Sequence, residues 1–591
     1  MTTTHQHRKL GGQFLLEETR SGGIFTPEDC TDEHRMIRRL ARDFAQKEVL
    51  PHNERLEGQD WDFTVSLLKK AGDLGLLAHS VPEAYEGLGL DKMTKVIVGE
   101  EVGQIGGYSV MHLNHTGIAT LPITYFGTQE QKAKYLPKLA SGEFLGAYCL
   151  TEPAAGSDAL GAKTTAKLNE EGTHYLLNGT KQFITNAGFA DTFIVYAKVD
   201  GTKFTTFIVE KNFPGLSLGP EENKMGIKSS STRQVFFEDC LVPVENVLGE
   251  VGRGHVIAFN VLNLGRFNLG AAALGGAKAA FAEGVKYAKS RVQFNRTLAS
   301  FPATQEKLAD MAARIYAMES LEYRTAHLLE GALGGLYEET DTRKIAGALM
   351  EYAIECSICK VFGSETLQAV VDESLQLHGG YGYMREYRIE QMYRDARINR
   401  VYEGTNEVNR LLVPGLLMKK ASAGTLPVPD AIERATAELF GDAPIAEGLL
   451  ARERGMVNAV RRVFLTLLGL AYEEHQENLE AQQETVMKLS ELGIQLYAME
   501  SALLRTEQAM AKQGEEQSAL KRDLTAAFLD DAFLQCEMLA RKVLAGLLTA
   551  ERVGEFRTLI PQQFAGFYPE GHVERKRRIA ERLIEGDGYT S

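Results

Sequence analysis

The hydrophobic period of this chain changes twice, and that pattern constrains its architecture more than any composition figure does. From Thr26 to Leu139 apolar residues recur at helical spacing, between about Phe144 and Val242 they alternate, and from Gly252 onward the helical spacing returns. Alternation places side chains on two faces of a strand, whereas a spacing of three and four lays an apolar stripe along a helix. The expected fold class is therefore α+β, mainly α. It comprises an N-terminal helical domain over 26–143, a middle β-domain over 144–245, a C-terminal helical bundle over 246–420 and a helical extension over 421–591.

Local signals refine this division. Thr26-Pro27-Glu28-Asp29 offers a capping hydroxyl, a first-turn proline and acids, so a helix is expected to start there and to end before Pro51. In the alternating block, Tyr175-Leu176-Leu177 precedes Asn178-Gly179, which predicts a hairpin turn, and Phe193–Tyr196, Phe207–Val209 and Val235–Phe237 read as further short strands. The turn chemistry is too antiparallel for a βαβ fold. Pro427, Pro429 and Pro444 suggest a linker, after which Val486, Leu489, Leu492 and Leu496 mark an amphipathic helix in the extension.

Composition excludes several functions. With 65 Lys and Arg against 79 Asp and Glu the net charge is −14, which argues against a nucleic-acid partner. Six cysteines in 591 residues make no disulfide framework, and a reducing, cytoplasmic compartment is expected. Cys356 and Cys359 form a lone CxxC inside an apolar helical run, without a second ligand pair, so no metal site is expected. The N-terminal residues lack the basic and apolar segments of a secretory signal. Val463–Tyr472 is too short for a membrane span, although Arg461-Arg462-Val463-Phe464-Leu465 leaves weak peripheral association open beside a core-helix reading.

Nucleotide-loop motifs fail individually. Gly270–Gly276 lacks the Lys-Ser/Thr of a P-loop and reads as small residues for close helix packing. Gly380-Tyr381-Gly382 completes no dinucleotide fingerprint, which disfavours a nicotinamide enzyme. No Gly-x-Ser-x-Gly elbow occurs, and His378 reads as a packing histidine. Two segments remain. Thr151–Asp158 is a hydroxyl-rich loop able to hold anionic or carbonyl oxygens, or else an ordinary strand-to-turn connection. Arg394–Asn406 crowds charges on a helix that breaks at Gly404.

Taken together and in order, these segments resemble the acyl-CoA dehydrogenase family. The motifs are Leu76-Leu77 through Val81-Pro82-Glu83 and Gly87-Leu88-Gly89, the Tyr148–Ser157 stretch, Phe183-Ile184-Thr185-Asn186, Lys224-Met225-Gly226-Ile227 and Tyr402-Glu403-Gly404-Thr405. The helical extension, with Lys134–Leu139 and Asn263-Leu264-Gly265-Arg266-Phe267, is similar to the very-long-chain branch.

This resemblance implies an enzyme that uses FAD to convert fatty acyl-CoA to trans-2-enoyl-CoA in β-oxidation, passing electrons to an electron-transfer flavoprotein. Tyr148, Leu150 and Thr151 with Phe183, Ile184 and Thr185 would line the isoalloxazine, Thr151 and Thr185 donating to the ring. Phe183 stands where the family usually has Trp, keeping an aromatic shield without the indole donor. Gly156 and Ser157 would belong to the same cofactor loop, Ser157 also contacting acyl-CoA. Arg291, Gln293, Phe294, Gln305, Gln376, Leu377, Gly379 and Gly380 would hold the cofactor's adenosine diphosphate across a dimer interface, and Thr405, Asn406 and Glu407 match a further cofactor run. Asn263, Arg266 and Gly404 would contact substrate. Glu403 would be the base. The family's second base position is Gly265 here, which has no side chain to accept a proton. The extension implies a homodimer. Gly117, Ala119 and Pro122 suggest that no bulky group blocks one wall of the acyl pocket. An oxygen-using acyl-CoA oxidase and an assembly protein on the same fold are the alternatives.

Overall fold

The computed structural model describes residues 9–19, 23–441, 447–547 and 550–591, the first four of the last segment by backbone alone. The N-terminal helices begin later than Thr26. Thr26 and Asp29 close a capping box on the single turn Pro27–Asp29, and the chain restarts at Thr31, whose hydroxyl accepts from His34 N at 3.2 Å to cap the helix Asp32–Asp43. Helical structure then continues through Phe44–Val49 and Leu50–His52 into Asn53–Glu57. Pro51 therefore lies inside the helical run, where the wide turn Phe44–Val49 passes into the tight turn Leu50–His52.

The alternating block forms one eight-stranded sheet: β1 Gly146–Cys149, β2 Thr165–Leu168, β3 His174–Thr185, β4 Thr192–Val199, β5 Lys203–Glu210, β6 Leu216–Glu221, β7 Thr232–Pro243 and β8 Val247–Leu248. The order is β6-β7-β3-β2-β4-β5-β8, with β1 beside β4. β1 and β2 pair in parallel with β4, and the remaining pairs are antiparallel. Asn178-Gly179 does not turn the chain. It lies within β3, at a register shift against β7, where Gly179 has φ 151° and a side chain would collide with Thr164. β3 and β7, at 12 residues each, are longer than the short strands expected.

Three long helices, Gly254–Ser290, Pro302–Leu333 and Ala353–His378, make the bundle. The Gly270–Gly276 stretch is packing, as its composition suggests. A Cβ at Gly270 or Gly275 would overlap Glu322 or the backbone of Glu100. The extension contributes Ala451–His475, Gln483–Gln513 and Ala519–Gly546, and its apolar stripe joins the bundle in one continuous core that also takes in Phe14 and Leu15. Val463, Phe464 and Leu465 are core residues of that unit and Arg461 is ion-paired to Glu500 at 2.5 Å, which fits the core-helix reading of this segment. No helix among the described residues is long and apolar enough to cross one. All six cysteines are buried and free, and the described residues hold no metal-ligating cluster.

Candidate functional site

A cavity of 530 Å³ opens where the ends of β1 and β3 meet the bundle and the helix Gly106–Asn114. Twelve residues singled out from the sequence line it: Tyr148, Leu150, Thr151, Gly156, Ser157, Phe183, Ile184 and Thr185 from the sheet, and Asn263, Arg266, Glu403 and Gly404 from the bundle.

The sheet side is held in place by local chemistry. The Thr151 carbonyl accepts from Gln182 N at 2.8 Å, tying the loop after β1 to β3. The next residue, Glu152, is buried. It accepts from Thr164 N at 3.0 Å and pairs with the buried Lys181 at 2.8 Å. A second register shift between Lys181 and Ile184 puts Phe183 at φ 59° and leaves its ring 63% exposed. Such a bulge re-aims a side chain, here toward the cavity. A large exposed ring in a cavity also lined by Thr151 and Thr185 suits a planar heteroaromatic ligand with polar edges.

The bundle side presents two carboxylates, Asp395, which accepts from Ile227 N, and Glu403. After the helix Arg388–Arg397 and the turn Ile398–Arg400, Glu403 and Gly404 adopt consecutive left-handed conformations with φ 57° and 77° before Thr405 caps the helix Asn406–Ser422. For a non-glycine residue this geometry costs roughly 1 kcal/mol, and the surroundings sustain it. Asn409 Nδ2 donates to the carbonyls of Glu403, Gly404 and Thr405 at 3.3, 2.9 and 3.0 Å. Glu403 as a residue is half-buried, yet its Oε2 is enclosed without a hydrogen-bond partner. Burial pushes the carboxyl up to about 7, against the opposing charges of Arg266 and Lys360. Arg266, 8% exposed, donates to Asn263 Oδ1 at 2.7 Å and faces the Glu403 carbonyl from 3.5 Å.

The other expected site residues stand outside the cavity. Thr405 Oγ1 accepts from Val408 N at 3.2 Å as a helix cap, Asn406 is buried toward Lys360 and Ser364, and Glu407 is exposed. Arg291 leads into a surface hairpin of β9 Val292–Gln293 and β10 Arg296–Thr297, whose tip carries Phe294 at 87% exposure. The Arg291 guanidinium lies 5.5 Å from the Tyr381 ring, which brings this hairpin to the turn after Gln376, Leu377, Gly379 and Gly380. Gln305 donates to Ala299 O at 3.2 Å. His378 donates to or accepts nothing in the cavity: it is buried, bonded to Ser374 O at 2.7 Å and stacked on Tyr287.

Four polar residues at or near the cavity had no role assigned from the sequence, although Asp395 lies in the charged segment Arg394–Asn406. Lys360 is buried and donates to Gly404 O and Asn406 Oδ1, both at 2.7 Å. Asn409 braces the loop. Asn268 is buried at the cavity wall with both amide atoms unpartnered, and Asp395 is buried there and accepts from Ile227 N. A lone polar residue inside an apolar helical run is the one signal that marks Lys360 and Asn268. The expected open wall is also corrected. Gly117, Ala119 and Pro122 do not line the cavity, whereas Ile118 does, because the wide turn His115–Ala119 breaks helical phase at Gly117.

Family models described as the acyl-CoA dehydrogenase N-terminal, middle and C-terminal domains match residues 31–143, 147–240 and 252–414, and a further acyl-CoA dehydrogenase C-terminal model matches 459–556. A protein of Bacillus subtilis (strain 168) described as a probable acyl-CoA dehydrogenase is 48% identical over 98% of both chains. The chain belongs to the acyl-CoA dehydrogenase family. A crystal structure of an acyl-CoA dehydrogenase complexed with FAD from Bacillus anthracis superposes with a TM-score of 0.96 at 48% identity, over 99% of this chain and 100% of that one. The human very long-chain specific mitochondrial acyl-CoA dehydrogenase is 35% identical over 81% of this chain and 74% of its own length. The expectations of family, fold class and flavin-dependent oxidoreductase chemistry therefore hold.

Proposed function

We propose that this acyl-CoA dehydrogenase desaturates fatty acyl-CoA thioesters to trans-2-enoyl-CoA, as a β-oxidation step in the cytoplasm. The observation that carries the reading is the Glu403 carboxylate, enclosed, unpartnered at Oε2 and lifted to about 7 inside the cavity shared with Thr151, Thr185 and Phe183.

FAD bound beside the sheet would supply the hydride acceptor for the substrate β-carbon and a ribityl hydroxyl at the thioester carbonyl. Thr151 and Thr185 would donate to its ring and Phe183 would cover one face. Glu403 would take the α-proton on Oε2. A carboxylate is a weak base for a thioester, so the substrate carbonyl must be polarised, and the Glu403 N–H would donate there. Asn263 and Arg266 would hold substrate next to the base, and Ser157 would contact the CoA portion. Arg291, Gln293, Phe294, Gln305 and Gln376–Gly380, gathered on the surface, would complete the adenosine diphosphate site from a second protomer of a homodimer. Thr405–Glu407 would add to it. Electrons would leave to an electron-transfer flavoprotein.

The test is ferrocenium-coupled turnover of the yellow holoprotein against saturated acyl-CoAs of increasing length. Turnover with straight-chain substrates supports the reading, and its absence at every length defeats it. Reoxidation of the reduced protein in air, followed by stopped flow, separates a dehydrogenase from an oxidase, and sedimentation equilibrium reads the dimer.

A further inference from the structure

The turn that carries Glu403 is connected to the C-terminal extension by an unbroken line of polar contacts. Lys360 Nζ donates to Gly404 O and to Asn406 Oδ1, both at 2.7 Å. Asn406 Nδ2 donates to Glu365 Oε1 at 3.0 Å. Glu365 accepts both arms of Arg410 at 2.8 Å each, and Arg410 also donates to Glu491 Oε2 at 3.0 and 2.6 Å. Glu491 stands on the helix Gln483–Gln513 of the extension, where its other oxygen accepts from Gln495 Nε2 at 2.8 Å and from Gln535 Nε2 at 3.4 Å.

We propose that this line is a positioning device for the base: Lys360 fixes the Glu403–Gly404 turn, and Glu491 is the extension's own contribution to it. The inference rests on the reading of Glu403 as the proton acceptor.

Two features of the geometry argue for it. Each contact is one that the next one needs. Lys360 is buried in an apolar helix and, among the described residues, donates to the Gly404 carbonyl and the Asn406 side chain. Asn406 can keep its oxygen on Lys360 only while its amide is held by Ser364 and Glu365. Arg410 spans two carboxylates with a planar fork, which fixes Glu365 better than a single contact would. The line also ends where it matters, on the carbonyl next to the strained φ of Glu403, so a loosened Lys360 would let that turn relax away from the cavity.

The same arrangement sets the charge around the base. The groups facing Glu403 are Arg266 from the helix Gly254–Ser290, Lys360 from the helix Ala353–His378, and the phenols of Tyr148 and Tyr402. Those facing Lys360 are Glu403, Arg266, Glu407 and Glu365. Arg266 and, while it is protonated, Lys360 favour the ionised carboxylate; burial brings Lys360 itself down to about 7, so its removal moves the Glu403 titration upward on the acid side of that value.

The experiment compares wild type, Lys360→Met, Glu491→Gln and the double variant as holoproteins. It reads kcat and KM across pH 5.5–9 and backbone hydrogen exchange of residues 403–409 without acyl-CoA. Lys360→Met is expected to lower kcat more than 10-fold with KM changed less than 3-fold, and to move the acid limb of the kcat profile upward. Glu491→Gln, an isosteric change that replaces one carboxylate oxygen by an amide nitrogen and removes the charge, is expected to give a 3- to 10-fold loss in kcat, faster exchange at 403–409 and an unchanged flavin content. The double variant should be no slower than Lys360→Met alone, because both changes cut one line. Wild-type kcat and exchange in Glu491→Gln, or multiplicative losses in the double variant, would overturn the proposal. If the wild type turns over no acyl-CoA, the functional reading fails, while the exchange comparison still decides whether Glu491 holds the turn. If Lys360→Met does not fold, Glu491→Gln and Glu491→Asp, the latter expected to recover part of the rate, decide it.

Discussion

The carboxylate of Glu403 rests against Gly265. A methyl group built on Gly265 would lie 2.6 Å from Glu403 Oε2 and 3.1 Å from its Cδ. The absence of a side chain at 265 thus makes the space that the Glu403 carboxylate fills.

Gly265→Ala should therefore displace the Glu403 carboxylate, the base of the proposed reaction, without touching any polar partner. The added methyl falls inside van der Waals contact of Oε2, and a shift of about 1 Å at a reacting group costs on the order of 100-fold in rate. We expect kcat to fall at least 10-fold with flavin content unchanged. A ferrocenium assay with flavin-normalised enzyme reads this, and a variant as fast as wild type would show that Glu403 has room to spare.

The ionised form of Glu403 should also cost the fold stability. Its folded pKa, about 7, is raised above the ordinary carboxyl value of 4.5. Stability is therefore fully present below 4.5 and is lost as pH rises through about 7, by roughly 3 kcal/mol in all. Glu403→Gln is expected to melt about 2 °C above wild type at pH 8, the two converging near pH 4.5. Parallel melting curves across this range would contradict it. In wild-type turnover the same group should give an acid limb near pH 7.

Arg505 on the extension should be a main fastener of the chain ends. Its buried guanidinium pairs with Glu28 and Glu319, each at 2.7 Å, and Lys521 adds a contact to Glu28 at 3.1 Å. Although burial opposes it, the Arg505 charge and hydrogen bond hold the Glu28 carboxyl down at about 2. Removing one partner of such a buried group leaves uncompensated charge, so Arg505→Met should destabilise by roughly 3–5 kcal/mol at pH 7 in denaturant unfolding. Because a depressed carboxyl contributes above its unfolded pKa, that difference should shrink as pH falls from 4.5 towards 2. A pH-independent difference would assign the loss to packing alone.

Much of the fold was legible because hydrophobic period is a local property. The two changes of period locate the sheet, and Glu403, Thr151, Thr185 and Arg266 carry recognisable surroundings in the sequence. What was not legible depends on distant partners. Asn178-Gly179 has the composition of a turn, and only the pairing of β3 with the long β7 makes it a bulge. Lys360 reads as an oddity in an apolar helix until the fold brings Gly404 beside it. The wall at Ile118 follows from a wide turn centred on Gly117, whose phase no spacing rule anticipates.

The most direct test of the account is single-turnover bleaching of the flavin band when Glu403→Gln holoprotein is mixed anaerobically with an acyl-CoA that wild type oxidises. Glutamine keeps the shape of the side chain beside Gly265 and removes its basicity. The account predicts a wild-type visible spectrum and retained acyl-CoA binding, with bleaching slowed by orders of magnitude. Bleaching at a near-wild-type rate would contradict it and place the base elsewhere.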